Sequence, residues 1–157
     1  MRRIEHIWLV YVLIFLGLIG LLDATYLTAS HFGDTAVTCS LFEGCDVVLQ
    51  SRYATIAGIP IALLGGIYYF SIFAGATIGY VLRRRDIIRG VAYLTIIGFL
   101  VSLVLVYIQI WMIGSLCQFC IISAVISTLL FICGILIIRG KKGGNITSSL
   151  NEAQTEQ

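Results

Sequence analysis

The chain has little charge. Asp, Glu, Lys and Arg make up 11% of its 157 residues, against 59% hydrophobic residues. Mean hydropathy is +1.01. A soluble domain of this length does not need so much apolar surface, so composition excludes one. Three stretches carry no charge at all: Ile7–Leu22, Tyr53–Leu82 and Gly90–Ile138. Proline occurs once, as Pro60 at the start of a helical stretch, where a first turn tolerates it. A signal-cleavage site of the A-x-A type is also missing after the first apolar run. That run is longer than a signal-peptide core, so it reads as a retained anchor. No internal repeat is present. The segment from Gly143 onward lacks apolar periodicity and reads as disordered.

The apolar runs set the architecture. A membrane-spanning helix takes about 20 apolar residues. The third run holds two such spans and a turn at Gly114-Ser115. The expected fold is all-α: a polytopic membrane protein with a four-transmembrane-helix bundle. Its helices are read as roughly Ile7–Ala29, Ile59–Leu82, Gly90–Ile113 and Leu116–Ile138. Residues 1–142 form the membrane domain and 143–157 a polar cytoplasmic tail. The ten Lys and Arg residues fix orientation: in a hairpin array all but Arg52 fall on one side. Positive residues face the cytoplasm. Both termini are therefore expected there, in a multi-pass protein of the cell membrane. The same rule accounts for the net charge of +2, which leaves no argument for nucleic acid.

Four of the five cysteines then share the outer side. Cys39 and Cys45 lie in the outer loop, residues 34–57, and Cys117 and Cys120 start the fourth helix. Ser115-Leu116-Cys117-Gln118 fits an S-x-x-Q capping box, with Ser115 as the cap and both thiols near the positive helix end. Such a terminus stabilises a thiolate. Asp46 is expected to cap a short helix through Gln50, lying over the bundle. Three readings fit four outer cysteines. Two pairs can relay electrons by thiol–disulfide exchange toward a lipid-soluble acceptor. Four thiolates can hold a structural zinc, although the loop lacks a second C-x-x-C. Two disulfides can staple a membrane scaffold without turnover. An oxidising compartment favours the disulfide readings over a metal.

Other residues read more plainly. Asp23 is taken as a hydrated carboxylate at the interface, with proton acceptor near a redox site as the sharper alternative. His31 is read as a solvated helix-end residue. Tyr107, Gln109 and Trp111 fall in the interfacial belt. Gly65, Gly66, Gly75 and Gly79 read as close helix approaches. Ser123, Ala124 and Ser127 form a small-residue face on the fourth helix. Cys133, deeper in the bilayer, reads as an apolar filler.

Taken together, Cys39, Gly44-Cys45-Asp46, Ser51-Arg52-Tyr53-Ala54, Gly58-Ile59-Pro60 with Gly65, and Cys117-Gln118-Phe119-Cys120 resemble the vitamin K epoxide reductase family in order and spacing, over about residues 7–139. The resemblance is specifically to its prokaryotic disulfide-forming members, here without a fused thioredoxin domain. The resemblance implies a bundle around a quinone (ubiquinone, menaquinone or a related one), capped by the outer loop. It implies that Cys39 meets a separate thioredoxin-fold (DsbA-like) partner, that Cys45 exchanges with Cys117, and that Cys120 faces the quinone. Ser51 would position the loop over the pocket. The vertebrate members carry a tyrosine where this chain has Ala124, and an asparagine that Pro60–Ala62 lacks. The implied chemistry is therefore plain quinone reduction, with position 124 still beside the cofactor.

Overall fold

The computed structural model describes residues 2–32, 45–49, 51, 54–56 and 58–155. Cys39, Gly44, Arg52 and Tyr53 lie outside these. The elements are α1 (Arg2–Phe32), α2 (Cys45–Leu49), β1 (Thr55–Ile56), β2 (Ile59–Pro60), α3 (Ile61–Val81), α4 (Arg85–Ile108), a π-helical turn (Gln109–Ile113) and α5 (Gln118–Thr155). Among the described residues, four segments are long and apolar enough to cross a membrane: Trp8–Phe32, Ile61–Val81, Arg85–Ile113 and Gln118–Arg139. The fold is the expected all-α polytopic bundle. The segment from Gly143, expected to be disordered, continues α5 as helical backbone. It contains no proline, so nothing in it removes a backbone donor.

The helices close a ring: α1 packs on α3, α3 on α4, α4 on α5, and α5 on α1. They are apolar on every face, which suits lipid outside and protein inside. Trp8, Phe15 and Leu22 repeat every seventh residue along the exposed face of α1, while Leu13 is fully buried. Leu13, Ile72, Ala76, Ala92 and Leu130 meet at the centre. Lipid offers no hydrophobic drive between helices, so close packing does the work. Gly75 faces Val91 and Gly79 faces Ile88, as the spacing of these glycines predicts. Gly65 differs: nothing packs against it, and it borders a cavity instead.

The ends of the helices are set by backbone hydrogen bonds. Arg83 takes a left-handed conformation (φ 51°) after α3. The N–H of Arg84 then donates to the Gly79 carbonyl at 3.0 Å, and that of Arg83 to Tyr80 at 3.2 Å. This is a Schellman closure, and it reverses the chain into α4. At the far end, Thr55 and Ile56 pair antiparallel with Pro60 and Ile59 around Gly58, whose φ is 81°. The Ile61 N–H donates to Ala54 at 2.9 Å, which ties this hairpin to the start of α3. Pro60 stands just before α3 as its N-cap.

Tyr69 joins three helices. It is 2% exposed, and its ring lies against Gly20 of α1. Its hydroxyl bonds the Ser123 carbonyl at 2.9 Å, the Ser123 hydroxyl at 2.7 Å and the Ser127 hydroxyl at 3.3 Å, all on α5. A Cβ at position 20 would overlap the Tyr69 ring. Gly20→Ala is therefore expected to destabilise the bundle by about 1–3 kcal/mol, as overpacking does. Thermal unfolding in detergent measures this.

Candidate active site

The site is built on the first turn of α5. That helix starts at Gln118, which makes Cys117 its N-cap. The Cys117 carbonyl accepts the N–H of Ile121 at 3.1 Å. The Cys117 sulfur faces the backbone N–H groups of Phe119 and Cys120, which favour its thiolate. These are the second and third helical residues, whose donors a capping side chain normally satisfies. A sulfur thus does what Ser115 was expected to do. Gly114, left-handed at φ 67°, turns the chain so that Cys117 rather than Ser115 meets the helix. The Cys120 side chain completes the arrangement with a hydrogen bond to the Cys117 sulfur.

Gln109 supports this turn from α4. It is 4% exposed, and its Oε1 accepts the Cys117 N–H at 3.5 Å. Its side chain also bonds the Cys120 side chain. The helix widens to the π form from Gln109 onward, and such widened turns recur at functional sites. Gln109 was read from the sequence as part of an interfacial belt. Tyr107 and Trp111, 59% and 74% exposed, do occupy such positions. Gln109 faces the other way. Its signal in the sequence is an amide within a charge-free apolar run.

The outer segment covers the same spot. Cys45 (1% exposed), Val48 (7%) and Cys117 (0%) form one buried cluster, with Leu49, Ile113, Phe119 and Cys120 packed against it. Helix α2 thus lies over the end of the bundle as expected. It starts at Cys45, so Asp46 falls within the helix and does not cap it. Ser51 closes α2: its Oγ donates to the Val48 carbonyl at 2.7 Å. Cys45 is disulfide-bonded, while Cys117, Cys120 and Cys133 are free thiols. The partner of Cys45 therefore lies outside the described residues.

Beneath the thiols is a cavity of about 470 Å³, ringed by all four long helices, α2 and Ser51. Cys120, Ser123 and Ser127 line it from α5, and Gln109 from the π turn. Ala124 is not part of its lining, which on α5 runs along Cys120, Ser123 and Ser127. Asp23 and His31 line the cavity from α1. Asp23 is therefore not the hydrated surface carboxylate expected. Its Oδ2 is buried and, among the described residues, has no hydrogen-bond partner. The Tyr68 hydroxyl is buried in the same way and also faces the cavity. Sequence spacing cannot reveal either, since both depend on how helices rotate in the ring. Cys133 belongs to the core with Leu130 and Ile137, as its apolar setting suggests.

The sequence matches the family model of the vitamin K epoxide reductase family over residues 11–135. The chain belongs to that family. No curated protein matches it. Family membership makes it a membrane thiol–disulfide oxidoreductase, and the geometry supplies the chemistry. Exchange needs a thiolate. The Cys117 thiol is pulled below its ordinary value of 9.0, first by the hydrogen bond from Cys120 and then by the Cys120 and Phe119 backbone N–H groups. Burial and the Asp23 charge oppose that shift. In the reduced protein these contacts favour a thiolate on Cys117, with Cys120 beside it as donor.

This orders the alkylation behaviour of the reduced protein. Cys117 should react with iodoacetamide along a pH profile whose midpoint lies below 9.0. Cys120→Ala removes the largest stabilising contact and should move that midpoint upward. Mass spectrometry of the Cys117 peptide, taken across pH, reads both.

Proposed function

We propose that this member of the vitamin K epoxide reductase family reoxidises an extracytoplasmic thioredoxin-fold (DsbA-like) protein and passes the electrons to a membrane quinone. The observation that carries the reading is that Cys45, Cys117 and Cys120 pack together at the end of the bundle and that Cys120 also lines the cavity. The Lys and Arg distribution supports cysteines on the outer face of the cell membrane and termini in the cytoplasm.

The residues suit a quinone. Family enzymes of this kind use quinones, and about 470 Å³ falls within the range of small-molecule pockets. The wall is apolar with a few polar groups, among them the unpartnered Asp23 Oδ2 and Tyr68 hydroxyl. Leu64, Ile97 and Val101 line the cavity yet are 41%, 59% and 52% exposed, so it borders the lipid-facing surface between α3 and α4. A lipid-soluble ligand could reach it from there. Cys120, Ser123 and Tyr68 would hold the head group, with Ser51 fixing α2 above it. When bound, a quinone supplies a two-electron, two-proton acceptor.

In this scheme the reduced partner's thiolate attacks the Cys39–Cys45 disulfide at Cys39, the cysteine farther from the bundle. The freed Cys45 attacks Cys117 of the Cys117–Cys120 disulfide. One S–S bond forms as one breaks, and Cys120 leaves as the thiolate. The partner's second thiolate resolves its mixed disulfide, so the partner leaves oxidised and Cys39 is freed; Cys39 then attacks Cys45, which restores Cys39–Cys45 and leaves Cys117 and Cys120 as a dithiol. The dithiol then yields its two electrons and closes again.

The alternatives fit less well. A four-thiolate zinc is expected from closely spaced pairs, whereas Cys39 and Cys45 have five residues between them. Static staples do not account for a cysteine pair that caps a helix and borders a cavity.

The test is oxidation of a reduced thioredoxin-fold substrate by the purified protein, with ubiquinone or menaquinone as acceptor. Cys117→Ala and Cys120→Ala should each abolish turnover, and retained turnover in both would remove the assignment. Cys133→Ala should leave the rate nearly unchanged, because that thiol only fills the core.

A further inference from the structure

Thiol oxidation moves protons as well as electrons, and the relay accounts only for the electrons. Among the described residues the cavity wall carries one carboxylate, Asp23. Its Oδ2 is shielded from solvent and, among the described residues, makes no hydrogen bond. A buried carboxylate oxygen without a donor is costly and calls for a reason, such as an exchangeable proton or a ligand donor. Asp23 lines the same cavity as Cys120 and Tyr69, and its charge opposes a thiolate on Cys117. The other titratable groups facing this space are His31 on the same helix, Tyr68 and Tyr69 on α3, and Cys120 on α5. From α4 and the π turn comes the uncharged Gln109, and no Lys or Arg lines the cavity among the described residues. The tyrosines are weak acids at neutral pH. His31 stands eight residues beyond Asp23, about 12 Å along the helix.

We infer that Asp23 is the proton-transfer residue of the site: its carboxylate takes the proton that leaves Cys120 and delivers it to the electron acceptor in the cavity. This rests on the quinone reading above. With Cys117 as thiolate, the reduced pair holds one thiol proton, on Cys120. Formation of the Cys117–Cys120 bond releases two electrons and that proton. A quinone-class acceptor takes both electrons, this proton through Asp23 and a second proton from solvent, and becomes a quinol. Asp23 returns to the carboxylate. Charge on the cavity wall therefore does not accumulate during a turnover.

The test uses the full chain with Asp23→Asn, which keeps the shape but cannot carry a proton, and Asp23→Glu, which can. Positioned general acid–base groups contribute roughly 10²–10⁴-fold. Turnover with a quinone should fall by at least about 10²-fold in Asp23→Asn and recover in part in Asp23→Glu. A second readout needs no quinone. In the reduced, quinone-extracted protein, the Cys117 alkylation profile of Asp23→Asn should move to lower pH, because the opposing negative charge is gone. An unmoved profile overturns the inference even if turnover falls, since Asp23 would then stand apart from the thiols. Undiminished turnover in Asp23→Asn also overturns it. If the native chain passes no electrons from the thiols to any quinone, the functional reading fails. Delivery of the proton to a quinone fails with it, while the alkylation arm still decides whether the carboxylate serves the dithiol.

Discussion

A sulfur atom caps a helix, and most of the site follows from that contact. The first N–H groups of an α-helix have no partners within it. In α5 two of them, from Phe119 and Cys120, point at Cys117. The same donors that need an acceptor thus hold a thiolate, and the helix end adds its partial positive charge. Cys120 lies one turn along and donates to the same sulfur. The C-x-x-C spacing is therefore a capping spacing: N-cap and third helical residue. Gln109 fixes the turn from the other side through the Cys117 N–H, and Cys45 covers it from above.

The bundle below makes this chemistry possible by being both tight and incomplete. Glycines bring α3 against α4 at the arginine end, where Gly75 meets Val91 and Gly79 meets Ile88. At the cysteine end the helices hold a cavity between them, and Tyr69 spans from Gly20 to Ser123 and Ser127 as a strut. The polar groups left without partners, on Asp23 and Tyr68, lie in that opening and not in the packed half. In a water-poor interior such groups are strong partners for a ligand and expensive without one.

Much of this is legible in the residues, because membranes impose simple rules. Charge-free runs give the four spans, and the arginines at 83–85 mark a turn. Cys117 and Cys120 signal a helix start, and the apolar Val47, Val48 and Leu49 signal a segment lying over the bundle. What escapes is set by rotation and contact between distant elements. A capping-box pattern favours Ser115, but a left-handed Gly114 hands the cap to Cys117. Gln109 looks interfacial by depth, yet a π turn aims it inward. Asp23 looks hydrated by its distance from the helix end, yet the ring of helices buries one of its oxygens. Ala124 is adjacent in sequence to the residues that line the cavity, and a helical offset of one residue places it off the wall.

The account stands on direct exchange between the sulfur of α2 and the sulfur that caps α5. The most direct measurement is disulfide mapping of Cys120→Ala by mass spectrometry under non-reducing conditions, on the protein purified without added thiol. With no Cys120 to compete, the Cys117 thiolate attacks Cys45 in its disulfide and expels the sulfur bonded to it, so a Cys45–Cys117 bridge should accumulate and be released by reductant. Its absence, with Cys117 recovered as a free thiol, would contradict the relay.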